Sequence, residues 1–132
     1  MDALRVYVLR TWIEAQPEGT GGWLGALRDP AVGRAIALVH QAPAHRWTVD
    51  VLAAKVGMSR SAFARRFAQL VGVPPLGYVT RWRIELALRS LRDTDRTLAA
   101  IASDVGYDSE FAFSRAFKRR LGASPGHYRR AG

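Results

Sequence analysis

Residues 48–78, TVDVLAAKVGMSRSAFARRFAQLVGVPPLGY, and residues 97–128, TLAAIASDVGYDSEFAFSRAFKRRLGASPGHY, are two copies of one pattern. Thr48 matches Thr97, and Val56-Gly57 matches Val105-Gly106. One extra residue in the second turn then shifts the register. After it Ser59, Phe63, Arg65, Phe67, Gly72, Pro75 and Tyr78 match Ser109, Phe113, Arg115, Phe117, Gly122, Pro125 and Tyr128. A repeated order of turn residue, core residue and cation constrains the chain to one small unit built twice. Two copies are too few for a solenoid, so the pattern is a tandem duplication.

Each copy reads as helix, short glycine turn, helix, which is the outline of a helix-turn-helix. In the first, residues 49–56 form a short helix capped by Thr48, with Leu52 and Val56 inward. Gly57 ends it, because glycine tolerates the left-handed backbone of a tight turn. Ser59 caps the second helix, which runs to Val71. The second copy repeats this with Gly106 at the turn, Ser109 at the cap and a helix to Leu121. The two helix-turn-helix units therefore span residues 48–71 and 97–121.

Between them lies PLGYVTRWRIELALRSLR, residues 75–92. Pro75 suits a first helical position, where its missing N–H would be unpaired anyway. Nothing beyond Gly77 breaks the helix until Asp93, Thr94 and Asp95. Val79, Trp82 and Leu86 lie on one side, while Ile84, Leu88 and Leu91 widen the apolar arc. A wide arc implies more than one packed neighbour. The stretch reads as a rigid strut with one unit on each side. On one face of straight B-DNA, such a strut would set two reading helices about 34 Å, or one turn, apart.

Upstream, residues 3–16 read as a helix carrying Leu4, Tyr7, Val8 and Trp12. Pro17-Glu18-Gly19-Thr20-Gly21-Gly22 ends it and is the best linker candidate. Trp23, Leu24 and Leu27 form a short apolar cluster. Asp29-Pro30 is a helix start, with Asp as N-cap and Pro in the first turn. That helix turns Val32, Ile36 and Val39 inward and stops before Pro43. The expected architecture is all-α: two homeodomain-like units joined by a long central helix, with an extra N-terminal helix. Residues 1–28 form the helix and linker, and residues 29–132 the main domain.

The formal net charge is +9, which suggests a polyanionic partner. Residues 1–47 hold five Arg against four acids, a net of +1. Residues 48–132 hold fifteen Lys and Arg against seven acids, a net of +8. The charge therefore sits in the repeats. The chain has no cysteine, which excludes a disulfide framework and a Cys-ligated zinc. No run approaches the ~18 apolar residues of a membrane span. The early acid and interrupted apolar run at the N-terminus do not fit a signal peptide, so a cytoplasmic protein is expected.

At ~100° per residue, Phe63, Phe67 and Leu70 share one face of the second helix of the first unit. Ser61, Arg65, Ala68 and Gln69 fall opposite. In the second unit Phe113, Phe117 and Leu121 are core, with Phe111, Arg115, Lys118 and Arg119 opposite. A helix fits the DNA major groove, and its N-terminal residues can reach base edges. Arg65 and Arg115 suit bidentate bonding to guanine, with Ser61 and Glu110 as accessory readers; Glu110 can accept from the cytosine amino group. Phe111 either touches a thymine methyl or is a core residue at the helix end. Arg60, Arg66, Lys118, Arg119 and Arg120 suit phosphate contacts, which set position but carry little sequence information.

At these residues the chain resembles the DNA-binding module of AraC-type transcription regulators, named for the arabinose-operon activator. The resemblance covers about residues 30–130. It is most specific over IASDVGYDSEFAFSRAFKRRLGASPGHYRR, residues 101–130, from the turn glycine to the closing Pro-x-x-Tyr-Arg. It implies two helix-turn-helix units in successive major grooves of double-stranded DNA. It also implies that Ser61, Ala64 and Arg65, with Glu110, Phe111 and Arg115, hold the base-reading positions. Ala64 and Phe111 stand where members often carry polar readers. Members commonly carry a sensing domain before this module, which implies dimerisation through that domain and RNA polymerase as a further partner. Residues 1–16 resemble the last helix of such a domain.

Two rivals belong to other classes. An enzyme would need a constellation, but His40, His45 and His127 are scattered, with no metal-ligand spacing and no Gly-rich phosphate loop. No cofactor or metal is expected. A helical protein- or RNA-interaction domain with a basic surface is the other. Competition between duplex DNA and RNA separates it from a DNA regulator.

Overall fold

The computed structural model describes residues 23–131. Among them are eight helices and no strand. They are α1 (Trp23–Arg28), α2 (Pro30–Gln41), α3 (Val49–Lys55), α4 (Arg60–Val71), α5 (Pro75–Asp93), α6 (Leu98–Asp104), α7 (Glu110–Leu121) and α8 (Pro125–Ala131). The expected helix over 3–16 and the linker over 17–22 lie outside the described residues.

Two compact units emerge. One holds the described residues up to Leu38 together with Thr48–Leu76; the other holds Val39–Trp47 and the described residues from Gly77 onward. Each contains one helix-turn-helix, α3–α4 in the first and α6–α7 in the second. Their helix starts are built alike. Thr48, Ser59, Thr97 and Ser109 accept from the amides of Val51, Ala62, Ala100 and Ala112 at 3.0, 3.3, 3.1 and 3.0 Å. Each hydroxyl satisfies a backbone donor that the helix cannot.

The turns are also alike. Gly57 and Gly106 have φ of 73° and 103°, in the left-handed region. Beside Gly57, the Met58 amide donates to Ala53 O at 3.0 Å and the Gly57 amide to Ala54 O at 3.2 Å. Beside Gly106, the Tyr107 amide donates to Ala102 O at 2.9 Å and the Gly106 amide to Ser103 O at 3.1 Å. This pair of bonds closes a helix over a left-handed residue.

Phe63, Phe67, Phe113 and Phe117 are each no more than 2% exposed. In the first unit Leu52 and Ala53 of α3 and Val71 of α4 are buried as well. In the second, Phe113 and Phe117 share a core with Ile101, Ala102 and Val105 of the α6 segment and with Ile84, Ala87 and Leu91 of α5. Ile84, Ala87 and Leu91 of α5 thus complete the core of the second unit. Only Pro75 and Leu76 of that helix belong to the first.

Several expectations change. Val105 is buried, in one cluster with Ile84, Ala87 and Leu91 of α5, but its counterpart Val56 is half-buried. Leu70 and Leu121 sit in the last turn of their helices and are half-buried, not core. The segment carrying Leu24 and Leu27 is a helix. It buries Ala26 and leaves Leu24 and Leu27 63% and 40% exposed. The closing Pro-x-x-Tyr-Arg forms α8. The Tyr128 hydroxyl there donates to Leu121 O at 3.0 Å, and Arg129 donates to the carbonyls of Leu91 and Thr94 at the end of α5. The Tyr78 hydroxyl hydrogen-bonds the ring of buried His40, which stacks on Trp82 at 3.7 Å.

Asp29 caps α2, accepting from the Val32 amide at 2.9 Å. Arg66 of α4 donates Nε–H and Nη2–H to its other oxygen, the first at 2.7 Å. The Arg66 guanidinium holds the Asp29 carboxyl below its ordinary value, against the opposing effect of burial. A depressed folded pKa adds stability above the unfolded value of about 3.9 and loses it as pH falls through the folded value. The partner is half-exposed, so screening keeps the expected contribution near 1 kcal/mol. Urea unfolding should show Asp29→Asn less stable by about that amount at pH 7. The gap should close below about pH 4; a gap that persists at pH 2 would show that cap geometry alone is responsible.

Candidate nucleic-acid interface

The buried phenylalanines fix which sides of α4 and α7 face outward. Ser61 and Arg65 are exposed on α4, and Ala64 beside them is half-buried. Glu110, Phe111, Arg115, Lys118, Arg119 and Arg120 are exposed on α7. Phe111 is 70% exposed, which rules out the core alternative for it. Helix α4 carries no acid, and α7 carries only Glu110. Both outward faces are therefore basic, with hydroxyl, alanine and aromatic groups between the cations.

Phe111 and Arg115 stand one turn apart on α7, with the guanidinium 5.6 Å from the ring centroid. A cation over an aromatic face is attracted by the ring quadrupole, so the pair restrains both side chains. Pairs four apart on a helix are neighbours, which makes this contact readable from the sequence. Arg65 has Ser61 at the equivalent position four residues before it, so α4 offers no ring there.

The five cations placed on phosphates differ in their surroundings. Lys118, Arg119 and Arg120 fill the last turn of α7. Arg60 opens α4 and pairs with exposed Asp50 at 3.3 Å, a surface pair worth at most about 1 kcal/mol. Arg66 is bound to Asp29 within the first unit. That bond joins residues 37 apart in sequence and was not anticipated.

The turn of the second unit has support that sequence reasoning missed. Arg83 of α5 donates to Pro43 O and to His45 O, each at 2.8 Å. Its guanidinium lies 5.8 Å from the centre of the Tyr107 ring. Burial holds the Arg83 pKa below its ordinary value. The Trp47 indole closes the same loop by donating to Ala42 O at 2.8 Å. A Cβ at Gly106 would sit 2.9 Å from both Ala44 Cα and the Arg83 guanidinium, so the loop packs directly on the turn. At its edge Arg46 reaches Asp108 at 3.4 Å. The Arg83 carbonyl acceptors and the Arg46–Asp108 pair lie 38 to 62 residues apart, and no local pattern signals them.

Among the described residues no group of three or more His, Cys, Asp or Glu is placed to hold a metal ion. No helix among them is long and apolar enough to cross a membrane.

Two helix-turn-helix units with equivalent caps, turns and outward basic helices define a tandem helix-turn-helix module. The chain matches a family described as "Helix-turn-helix domain" over residues 52–131. It is 52% identical over 125 residues to a protein of Streptomyces antibioticus described as an AraC-like transcription regulator, covering 95% of this chain and 41% of that one. It is 44% identical over 115 residues to the HTH-type transcriptional regulator AlkR of Acinetobacter baylyi, covering 87% and 38%. Among solved structures it is similar to the DNA-binding domain of AdpA in complex with a target DNA. That match has a TM-score of 0.74 and 35% identity, and covers 78% of this chain and 92% of that one. The C-terminal domain of AraT, a response regulator from Geobacillus stearothermophilus, gives 0.76 and 31%, covering 79% and 87%. The chain belongs to the AraC-type helix-turn-helix family. It spans about two fifths of the length of these curated relatives.

Proposed function

We propose that the chain is the DNA-binding part of a sequence-specific transcription regulator acting on double-stranded DNA in the cytoplasm. The observation that carries this is the outward pairing of Arg115 with a 70% exposed Phe111 on a helix whose other side is locked by Phe113 and Phe117. An exposed ring beside an arginine is costly as plain surface and apt for a groove, where the ring meets a thymine methyl and the guanidinium a guanine. The AdpA domain is similar to this chain and was solved with its target DNA, which supports the same reading.

Each recognition helix enters a major groove. Ser61, Ala64 and Arg65 of α4 read one box, and Glu110, Phe111 and Arg115 of α7 the other. Arg60, Lys118, Arg119 and Arg120 meet phosphates, and Arg66 does so to the extent that Asp29 releases it. RNA polymerase is the partner such a regulator would act on, and a sensing domain in the longer protein would govern dimerisation.

Selection of bound duplexes from random DNA, with competitor RNA present, tests the reading. Recovery of a motif with one box per recognition helix is the expected result. Retention by RNA as strong as by any duplex would overturn it. Within the motif, Arg65→Ala should relax base preference in one box and Arg115→Ala in the other, each by roughly 1–3 kcal/mol. If Arg115→Ala leaves every base preference intact, α7 is a phosphate clamp and not a reader.

A further inference from the structure

We infer that the loop of residues 42–47 is a phosphate-binding element of the second helix-turn-helix unit, with Arg46 as its contact. The inference rests on the DNA reading above. It starts from a mismatch between the two copies. Helix α4 opens with Arg60 directly after its cap Ser59, so its N-terminus carries a cation where flanking phosphates come close. The equivalent position after Ser109 is Glu110, and the residue before Ser109 is Asp108. Helix α7 thus presents two acids around its cap, both exposed. Two carboxylates there would repel the backbone of any duplex that α7 enters.

The fold brings a cation to that place from elsewhere in the chain. Arg83, Trp47 and the close approach of Ala44 to Gly106 hold the loop on the turn that leads into α7. Arg46 projects from its edge and is 86% exposed; its partner Asp108 is 82% exposed at 3.4 Å. A pair so exposed is weak, so a phosphate can displace the carboxylate. His45, also exposed, stands next to Arg46, and residues 42–47 contain no acid. The loop therefore does for α7 what Arg60 does for α4. Asp108 holds Arg46 near the N-terminus of α7 until a phosphate takes it over.

The test uses the 132-residue chain and its selected duplex. Arg46→Ala removes an exposed side chain, and the fold should tolerate it. The slope of log affinity against log salt should fall by about 0.9. Specific and unrelated duplexes should weaken alike, by roughly tenfold or less at 0.1 M salt, with base preferences unchanged. Neutral methylphosphonate groups placed singly along the duplex should then find one position that weakens the wild type and not Arg46→Ala. An unchanged slope with an unchanged methylphosphonate profile would overturn the inference while leaving the regulator reading intact. Failure of the wild-type chain to select any duplex would instead remove the regulator reading itself.

Discussion

Between about 50 and 200 mM salt, the affinity of this chain for its duplex is expected to fall about a thousand-fold or more. Each cation that meets a phosphate releases condensed counterions, and about six such contacts give this steepness. The exposed candidates are sufficient: Arg60, Lys118, Arg119 and Arg120, with Arg65 and Arg115 contributing charge at the groove edge. Lys118→Ala and Arg119→Ala should each lower the slope by about 0.9 and weaken all sequences alike. Fluorescence titrations at four salt concentrations measure this directly. A flat response would show that the +8 of residues 48–132 is solvated surface only.

The second large effect concerns stability. Phe67→Ala or Phe117→Ala should destabilise the chain by about 3–5 kcal/mol, from lost burial plus the cavity left behind. That is a large share of the roughly 5–15 kcal/mol typical of a natural domain. Phe117 is fully buried and its ring lies 5.7 Å from Phe113 and 5.4 Å from Tyr128, so its loss opens a gap on two sides. Urea unfolding followed by circular dichroism gives the value. A loss under about 1 kcal/mol would mean that the neighbours collapse into the space.

These phenylalanines were legible in the sequence because their spacing places them on one side of a helix. The four hydroxyl caps and the turn glycines were legible for a similar reason: each acts within a few residues of itself. Val56 marks where local reading stops. Its pattern is that of Val105, yet Val105 is buried in a cluster with distant residues of α5 while Val56 is half-buried, and a local pattern does not encode distant neighbours. The outward positions of Arg65, Arg115 and Phe111 followed from helix angle, and only the exposure of Phe111 needed the structure to decide, since the end of a helix can turn to the core or to solvent. Asp29 was readable as a cap but not as the partner of Arg66. The Arg83 loop and the Arg46–Asp108 contact were invisible, because tertiary placement decides them.

On the proposed reading, stability and readout occupy different residues of α4 and α7. Caps, turn glycines and phenylalanines agree between α4 and α7, while Arg60 faces Glu110 and Ser61 faces Phe111 in the alignment of the copies. Substitutions on the outward side of either helix cost little folding free energy, as surface changes usually do. Target preference can therefore drift by single replacements, one box at a time, without passing through an unfolded intermediate sequence. If both helices read bases as proposed, the duplication gives the module two adjustable dials on one tolerant frame, and a new operator half is acquired while the other still holds DNA.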